Sequence, residues 1–226
     1  MHVSVIIPAI NEELSLKHVL AAIPNDQVTE VILVDGGSTD NTVVVAERGG
    51  ARVILEPQPG YGRACATGVE QASGEVVVFL DADGADDPTQ IHDLISILED
   101  SEVDMVLGSR LAGQISQGAM PWHQRFGNWL SAGLIRALYG LQITDLSPFR
   151  AVRRSKLLEL NMQEMTYGWP TEMITKAARR EWHIEEIPVN YRPRLAGESK
   201  ISGTLRGTIL ATYYILKTIF QYAFTG

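Results

Sequence analysis

Val76-Val77-Val78-Phe79-Leu80-Asp81-Ala82-Asp83-Gly84 is the stretch that decides the fold. A short apolar run stopped by polar residues is the pattern of a buried strand. Its carboxyl end opens on the crevice where ligands sit in open α/β sheets. Two carboxylates one residue apart at such an end suit a hard divalent cation that holds a diphosphate. Taken alone, an Asp-x-Asp is also an ordinary solvated acidic turn, so its neighbours carry the decision.

Around it, strand-like runs alternate with helical ones: Val3 to Ile7, Leu14 to Ile23, Val31 to Val34, Thr39 to Arg48, Arg52 to Leu55 and Gly62 to Ala72. The alternation continues through Val76 to Leu80, Pro88 to Leu98 and Val103 to Leu107. It implies right-handed βαβ units and an α/β fold with a mostly parallel central sheet flanked by helices. Asp87 can cap a helix that has Pro88 at its first position, and Ser38 and Thr39 precede another. Two further polar strand ends, Pro8-Ala9-Ile10-Asn11-Glu12 and Asp35-Gly36-Gly37-Ser38-Thr39-Asp40, fall in register with Asp81 and Asp83 along such a sheet. Loops of this kind offer backbone N–H groups and short polar side chains to a base and ribose. Pro59-Gly60-Tyr61-Gly62-Arg63 adds a tight turn with a cation that can approach a phosphate.

After Arg110 the texture changes to a flexible stretch, Leu111 to Gly118, which suits a surface loop or a mobile lid. A helical pattern follows in Phe126, Trp129, Leu130, Gly133, Leu134, Ala137 and Leu138, closed by Gly140 as C-cap, and aromatics at that spacing are assigned to the core. In the tail, Leu205, Ile209, Tyr213, Leu216, Phe220 and Phe224 recur at helical spacing opposite a narrower polar face. The segment is too interrupted for a membrane span and reads as a helix on a bilayer surface, with packing on the core or on a second copy as the alternatives. Between residues 190 and 217 five bases (Arg192, Arg194, Lys200, Arg206, Lys217) face Glu198 alone, which suits anionic lipid.

The chain has 226 residues, enough for one catalytic core, and its net charge of −8 argues against nucleic acid as a partner. A single cysteine, Cys65, rules out an internal disulfide framework and reads as a small buried residue. A strand begins at Val3, leaving no room for a signal peptide, so a cytoplasmic protein is expected, peripheral on the cytosolic face of the membrane.

These motifs resemble the inverting, nucleotide-diphospho-sugar-dependent glycosyltransferases of family 2 with the GT-A fold, and most of all the dolichol-phosphate mannose synthase, or polyprenyl-phosphate hexosyltransferase, group. Besides the stretches above, Gly108-Ser109-Arg110, Asp145-Leu146-Ser147-Pro148-Phe149-Arg150 and Arg194-Leu195-Ala196-Gly197-Glu198-Ser199-Lys200 carry the likeness. It implies a glycosyltransferase domain over residues 1–203, a C-terminal amphipathic helix over 204–226, and transfer of a hexose from a GDP-mannose or UDP-glucose type of donor to a polyprenyl phosphate. Mg²⁺ or Mn²⁺ is the implied cofactor. Pro8, Glu12 and Asp35 would hold the nucleotide, Asp81 the sugar and the metal, and Asp83 the metal on the diphosphate. Arg110, Arg150, Arg194 and Lys200 would gather around the donor diphosphate and acceptor phosphate, where guanidinium forks offset two like-charged partners. Ala9, Asn11, Gly37, Gly62, Arg63, Ala82 and Ser199 complete the implied substrate-binding set. The sequence departs from the group's pattern at Gly36, where a second acid is common, at Ala85, where a residue can complete the metal shell, and at Pro148, where glycine is usual.

The acceptor discriminates among readings. A hydroxyl needs a general base, whereas a phosphate monoester is already anionic near neutral pH. Asp145, or Glu172 in Trp169-Pro170-Thr171-Glu172-Met173, could be that base, and both could equally be structural. The alternatives are a soluble inverting enzyme with a small hydroxyl acceptor and a non-catalytic nucleotide-sugar-binding module. Either is compatible with a homo-oligomer.

Overall fold

The computed structural model describes residues 1–197 and 205–224. Seven strands, β1 (Val3–Ala9), β2 (Glu30–Asp35), β3 (Arg52–Leu55), β4 (Val76–Phe79), β5 (Met105–Ser109), β6 (Arg150–Arg153) and β7 (Ile184–Pro188), form one sheet in the order β3-β2-β1-β4-β6-β5-β7. Among the described residues eight α-helices accompany it: α1 (Glu13–Ala22), α2 (Thr42–Arg48), α3 (Tyr61–Gln71), α4 (Ile91–Leu98), α5 (Trp122–Tyr139), α6 (Arg154–Glu159), α7 (Trp169–Arg179) and α8 (Leu205–Phe224). β3, β2, β1 and β4 are mutually parallel, β6 is antiparallel to both its neighbours, and β7 is parallel to β5. The mostly parallel α/β sheet expected from the alternation is therefore present.

The central strands are buried on both faces, which is why β4, and β1 apart from its buried Ser4, read as apolar runs. Val3, Val5 and Ile7 enter one core with Leu16 and Leu20 of α1, Ala46 of α2 and Leu94 and Leu98 of α4. Ile6 and Phe79 enter the other, with Cys65 of α3, Ile135 of α5, Met173 and Ile174 of α7 and Ile219 of α8. Each fully buried Val or Ile here contributes about 1.5–3 kcal/mol by removal from water.

β6 and β7 are not visible as apolar runs. β6 is Arg-Ala-Val-Arg, charged at both ends, and β7 is an edge strand carrying Glu185 and Glu186 and closed by Pro188. Their insertion fixes the direction of β5: antiparallel to β6, which is antiparallel to β4, so β5 runs with β4. The carboxyl ends of β1, β2, β4 and β5 thus share one edge, and with them Asn11, Asp35, Asp81 and Arg110.

The core assignment of the α5 aromatics is overturned. Trp122, Phe126 and Trp129 are 78%, 54% and 63% exposed, and the helix buries its opposite side through Ser131, Ala132 and Ile135. Gly140 does cap it in the left-handed conformation, with φ +72°. α8 lies against α5 and α7 through Thr218 and Ile219, and Tyr139 Oη donates to Ile219 O at 2.5 Å. Its other side leaves Ile209, Tyr213 and Phe220 exposed. Among the described residues no helix is long and apolar enough to cross a membrane.

Candidate active site

The loops after β1 and β2 hold each other. Asn11 takes φ +52°, a left-handed conformation that asparagine tolerates, and its Oδ1 accepts from Thr39 N at 2.8 Å while its own N donates to Ser38 Oγ at 2.9 Å. Asp35 is buried and accepts from the backbone N of Gly37 (3.1 Å) and Ser38 (3.0 Å), so its carboxylate shapes the turn it ends. Pro8 and Ala9 are the last β1 residues paired with β2, opposite Val34 and Asp35.

At the end of β4, Asp81 Oδ1 accepts from Tyr61 Oη at 3.1 Å and Asp83 Oδ1 accepts from Ala85 N at 2.9 Å. Burial first, and the neighbouring Asp83 second, push the Asp81 carboxyl up to about 7. Burial also raises Asp83, against the pull of the Ala85 amide and of Arg194. Arg194 spans the opening, with Nη1 donating to Asp83 Oδ2 at 2.8 Å and Nη2 to Glu12 Oε1 at 2.6 Å. The sequence expects this arginine at a diphosphate, whereas here its guanidinium supplies positive charge to the carboxylates themselves. Leu195 N donates to Asp83 O at 3.0 Å, which draws the segment over Gly84. Ser199 and Lys200 lie outside the described residues. Ala82 turns its methyl group into the core and offers only backbone to a ligand.

Two carboxylates whose ionisation is opposed by burial and by a neighbouring anion, Asp83 for Asp81 and Glu12 for Asp83, fit a divalent cation, which would relieve both penalties. Ala85 is buried and has no ligand atom. Among the described residues no group of three or more His, Cys, Asp or Glu could hold a metal by itself. A cation at Asp83 and Asp81 would draw its remaining ligands from a diphosphate and water, the usual habit of Mg²⁺.

Arg110 follows β5 and forms a bidentate fork with Asp145, Nε to Oδ2 and Nη2 to Oδ1, both at 2.8 Å, with its backbone N also on Oδ2 at 3.0 Å. Leu146 N donates to Oδ1 at 2.7 Å, so the Asp145 oxygens accept four hydrogen bonds. Burial would raise Asp145, but the Arg110 charge and these donors hold it below the usual carboxylate range. Tyr191 lies under the Arg110 guanidinium, 5.1 Å from ring centroid to Cζ. Asp86, 3% exposed, has an Oδ1 without a partner, and burial pushes its carboxyl well up.

Arg150, Glu172 and Gly62 are held in contacts within the chain, for Glu172 the structural alternative that the sequence left open. Arg150 is fully buried and donates to the backbone oxygens of Pro170, at 2.9 Å, and of Ser147; burial lowers it to about 10. It ties the Asp145–Phe149 loop to the start of α7. Glu172 is fully buried and accepts from Gln163 N, Glu164 N, Tyr222 Oη and Lys176 Nζ, at 2.6 to 3.0 Å, so it orders the 163–166 loop. That loop receives α3: Gly62 N and Arg63 N donate to Thr166 O and Met165 O. A Cβ on Gly60 would stand 2.2 Å from Met165 O, and one on Gly62 2.5 Å from Glu164 O. These glycines permit the close approach that sets Tyr61 on Asp81. Arg63 is half-buried beside this contact, and its charge acts on Glu56.

Two polar features of the site have no signature that the sequence alone makes functional, Tyr61 and Tyr191; Asp86, with its orphaned oxygen, is by contrast the acid next to Ala85 that the sequence offers in its place for a metal shell. Tyr61 stands inside the glycine motif before α3, and Tyr191 immediately precedes the Arg192-Pro193-Arg194 run, so both lie within reach of the motifs.

The model of the family described as "Glycosyl transferase family 2" matches residues 4–160. An uncharacterized glycosyltransferase of Mycobacterium tuberculosis is 40% identical over 217 residues, 96% of this chain and 97% of the relative. A dolichyl-phosphate hexose transferase of Haloferax volcanii is 36% identical over 205 residues, 88% of this chain and 86% of the relative. Among solved structures, glucosyl-3-phosphoglycerate synthase of M. tuberculosis, in complex with Mn²⁺, UDP and glucosyl-3-phosphoglycerate, superposes with a TM-score of 0.79 at 23% identity, covering 98% of this chain and 80% of the other. That likeness shows the GT-A fold. The family model spans more than half of the chain, and so the protein belongs to glycosyl transferase family 2 and is a hexosyltransferase.

Proposed function

We propose that this enzyme moves a hexose from a nucleotide-diphospho-sugar to a polyprenyl phosphate with inversion at the anomeric carbon. One observation carries the choice of acceptor: the two carboxylates the sequence offers as general base are saturated, Asp145 by Arg110 and Leu146 N, and Glu172 by the 163–164 amides, Lys176 and Tyr222. A hydroxyl acceptor needs a base with a free lone pair, whereas a phosphate monoester brings its own negative charge and needs orientation. The likeness to the Haloferax dolichyl-phosphate hexose transferase supports the same acceptor.

An acceptor phosphate oxygen forms the new bond to the anomeric carbon from the face opposite the nucleoside diphosphate. The departing oxygen keeps the bonding electron pair, so an α-linked donor gives a β-linked product. Asp83, with Asp81 beside it, would hold Mg²⁺ or Mn²⁺, whose contribution when bound is to offset charge on the diphosphate. Pro8, Asn11, Glu12, Asp35 and Gly37 form the nucleotide side. Arg110, fixed by Asp145, and Arg194, once it leaves Asp83, form the phosphate side, with Ser199 and Lys200 from the following segment. On this reading the enzyme is cytoplasmic and works peripherally on the cytosolic face of the membrane.

The second reading, a soluble enzyme with a small hydroxyl acceptor, is favoured by the fold likeness to glucosyl-3-phosphoglycerate synthase. One experiment separates them. Labelled GDP- and UDP-hexoses are offered with a short polyprenyl phosphate in detergent and, in parallel, with 3-phosphoglycerate, each with Mg²⁺, Mn²⁺ or a chelator. Metal-dependent lipid product from one donor is expected. Product on phosphoglycerate alone overturns the lipid acceptor.

A further inference from the structure

α5 turns Trp122, Phe126 and Trp129 to solvent at spacings of four and three, which places them on one helical stripe, with the exposed Arg125 and Arg136 on the same side. α8 packs beside it, both helices burying their inner sides in one core, and exposes Ile209, Tyr213 and Phe220, with Lys217 alongside. The outer faces of two neighbouring helices are therefore apolar and contiguous, which a monomer in water rarely tolerates without a use.

We propose that α5 and α8 together form a platform that docks on an anionic lipid bilayer, with the α5 aromatics as the inserted element. The charge pattern selects this occupant. Residues 111–144 and 199–226 contain no Asp or Glu and carry Arg125, Arg136, Lys200, Arg206 and Lys217, so all 27 acidic residues lie elsewhere in a chain of net charge −8. Trp and Phe flanked by Arg and Lys, with carboxylates withheld, match the headgroup boundary of a negatively charged leaflet. A second copy is the weaker occupant, because a two-fold contact through this face would bring the Arg125, Arg136 and Lys217 charges of one copy onto the same acid-free, basic face of the other. The platform also adjoins the catalytic edge. The chain leaves Arg110, pairs with the 190–192 segment (Tyr191 N to Gln114 O, 2.8 Å; Ser116 N to Tyr191 O, 2.9 Å) and enters α5 at Pro121. A lipid-borne substrate would reach the site along that path.

Membrane docking goes beyond the proposed acceptor and is tested independently of it. The full chain is floated with vesicles of phosphatidylcholine alone or of equal parts phosphatidylcholine and phosphatidylglycerol, and its tryptophan emission is followed with brominated acyl chains. Trp169 and Trp182 are buried, so quenching reports on Trp122 and Trp129. Flotation with the anionic vesicles, weakened by salt, and quenching abolished by the double variant W122F/W129F are expected. W122A/F126A/W129A should bind at least about tenfold more weakly while keeping its thermal melt and its consumption of donor in detergent. Absence of flotation, or flotation unchanged by the triple variant, overturns the platform. So does a dimer in sedimentation that the triple variant dissolves without any vesicle binding. Failure to make lipid product with flotation intact would remove the acceptor and leave the platform standing.

Discussion

Replacing Asp81 with Asn should stabilise the protein while removing activity. Asp81 sits at the end of β4 with its carboxyl raised from the ordinary 3.8 to about 7, by burial first and Asp83 second. The folded chain therefore binds a proton that the unfolded chain releases between those two values. The stability this group confers is full below pH about 4 and is lost as pH rises through 7. A tenfold difference in proton affinity between the folded and unfolded chain is worth about 1.4 kcal/mol, giving a ceiling of about 4 kcal/mol at pH 8. The residue keeps some exposure on an open crevice, which reduces the expectation to about 2 kcal/mol. The amide of Asn preserves the acceptor for Tyr61 Oη and lets Asp83 ionise without an anion beside it. For a domain of this size, that predicts a melting temperature about 4–8 °C above the parent at pH 8. The gain should shrink toward nothing near pH 4, where both chains are neutral at this position. Calorimetry of the pair between pH 4 and 8 reads the difference, in which all other titrating groups cancel to first order. A variant melting at or below its parent at pH 8, or a gain that does not vary with pH, would show that Asp81 is not held protonated by burial. Mn²⁺ should raise the melting temperature of the parent more than that of the variant.

Arg194→Ala frees Asp83 from a charged hydrogen bond worth about 1.5 kcal/mol, so Mn²⁺ in the absence of donor should bind roughly tenfold tighter by electron paramagnetic resonance titration, while donor binding weakens. Glu172→Gln presents an NH₂ to the Gln163 and Glu164 amides and strands Lys176; a loss of about 2–4 kcal/mol in urea unfolding is expected, with the pH profile of any residual activity unmoved. Arg110→Lys cannot reproduce the fork on Asp145, and should cost about 2–4 kcal/mol of stability and leave KM for the acceptor raised.

The sequence shows the first half of the sheet plainly because β1, β2 and β4 are covered on both faces, so each is an apolar run with a polar stop. It conceals β6 and β7, where two terminal arginines and a pair of glutamates replace that signature. α5 exposes a different limit. Periodicity groups Phe126 with Trp129, but it cannot say whether the bulky stripe or the small one, Ser131 and Ala132, faces the protein. Here the side carrying Ser131, Ala132 and Ile135 is buried, and the large aromatics face solvent. The same distinction governs the site. Acids at strand ends are local in sequence and legible; what a carboxylate can do is decided by groups that reach it from afar. Asp145 is held by Arg110, 35 residues away, and Glu172 by Tyr222, 50 residues away. With those partners in place neither has a lone pair free for an acceptor proton. It is on this ground that a phosphate, which arrives already charged, is proposed as acceptor in place of a hydroxyl that must be deprotonated.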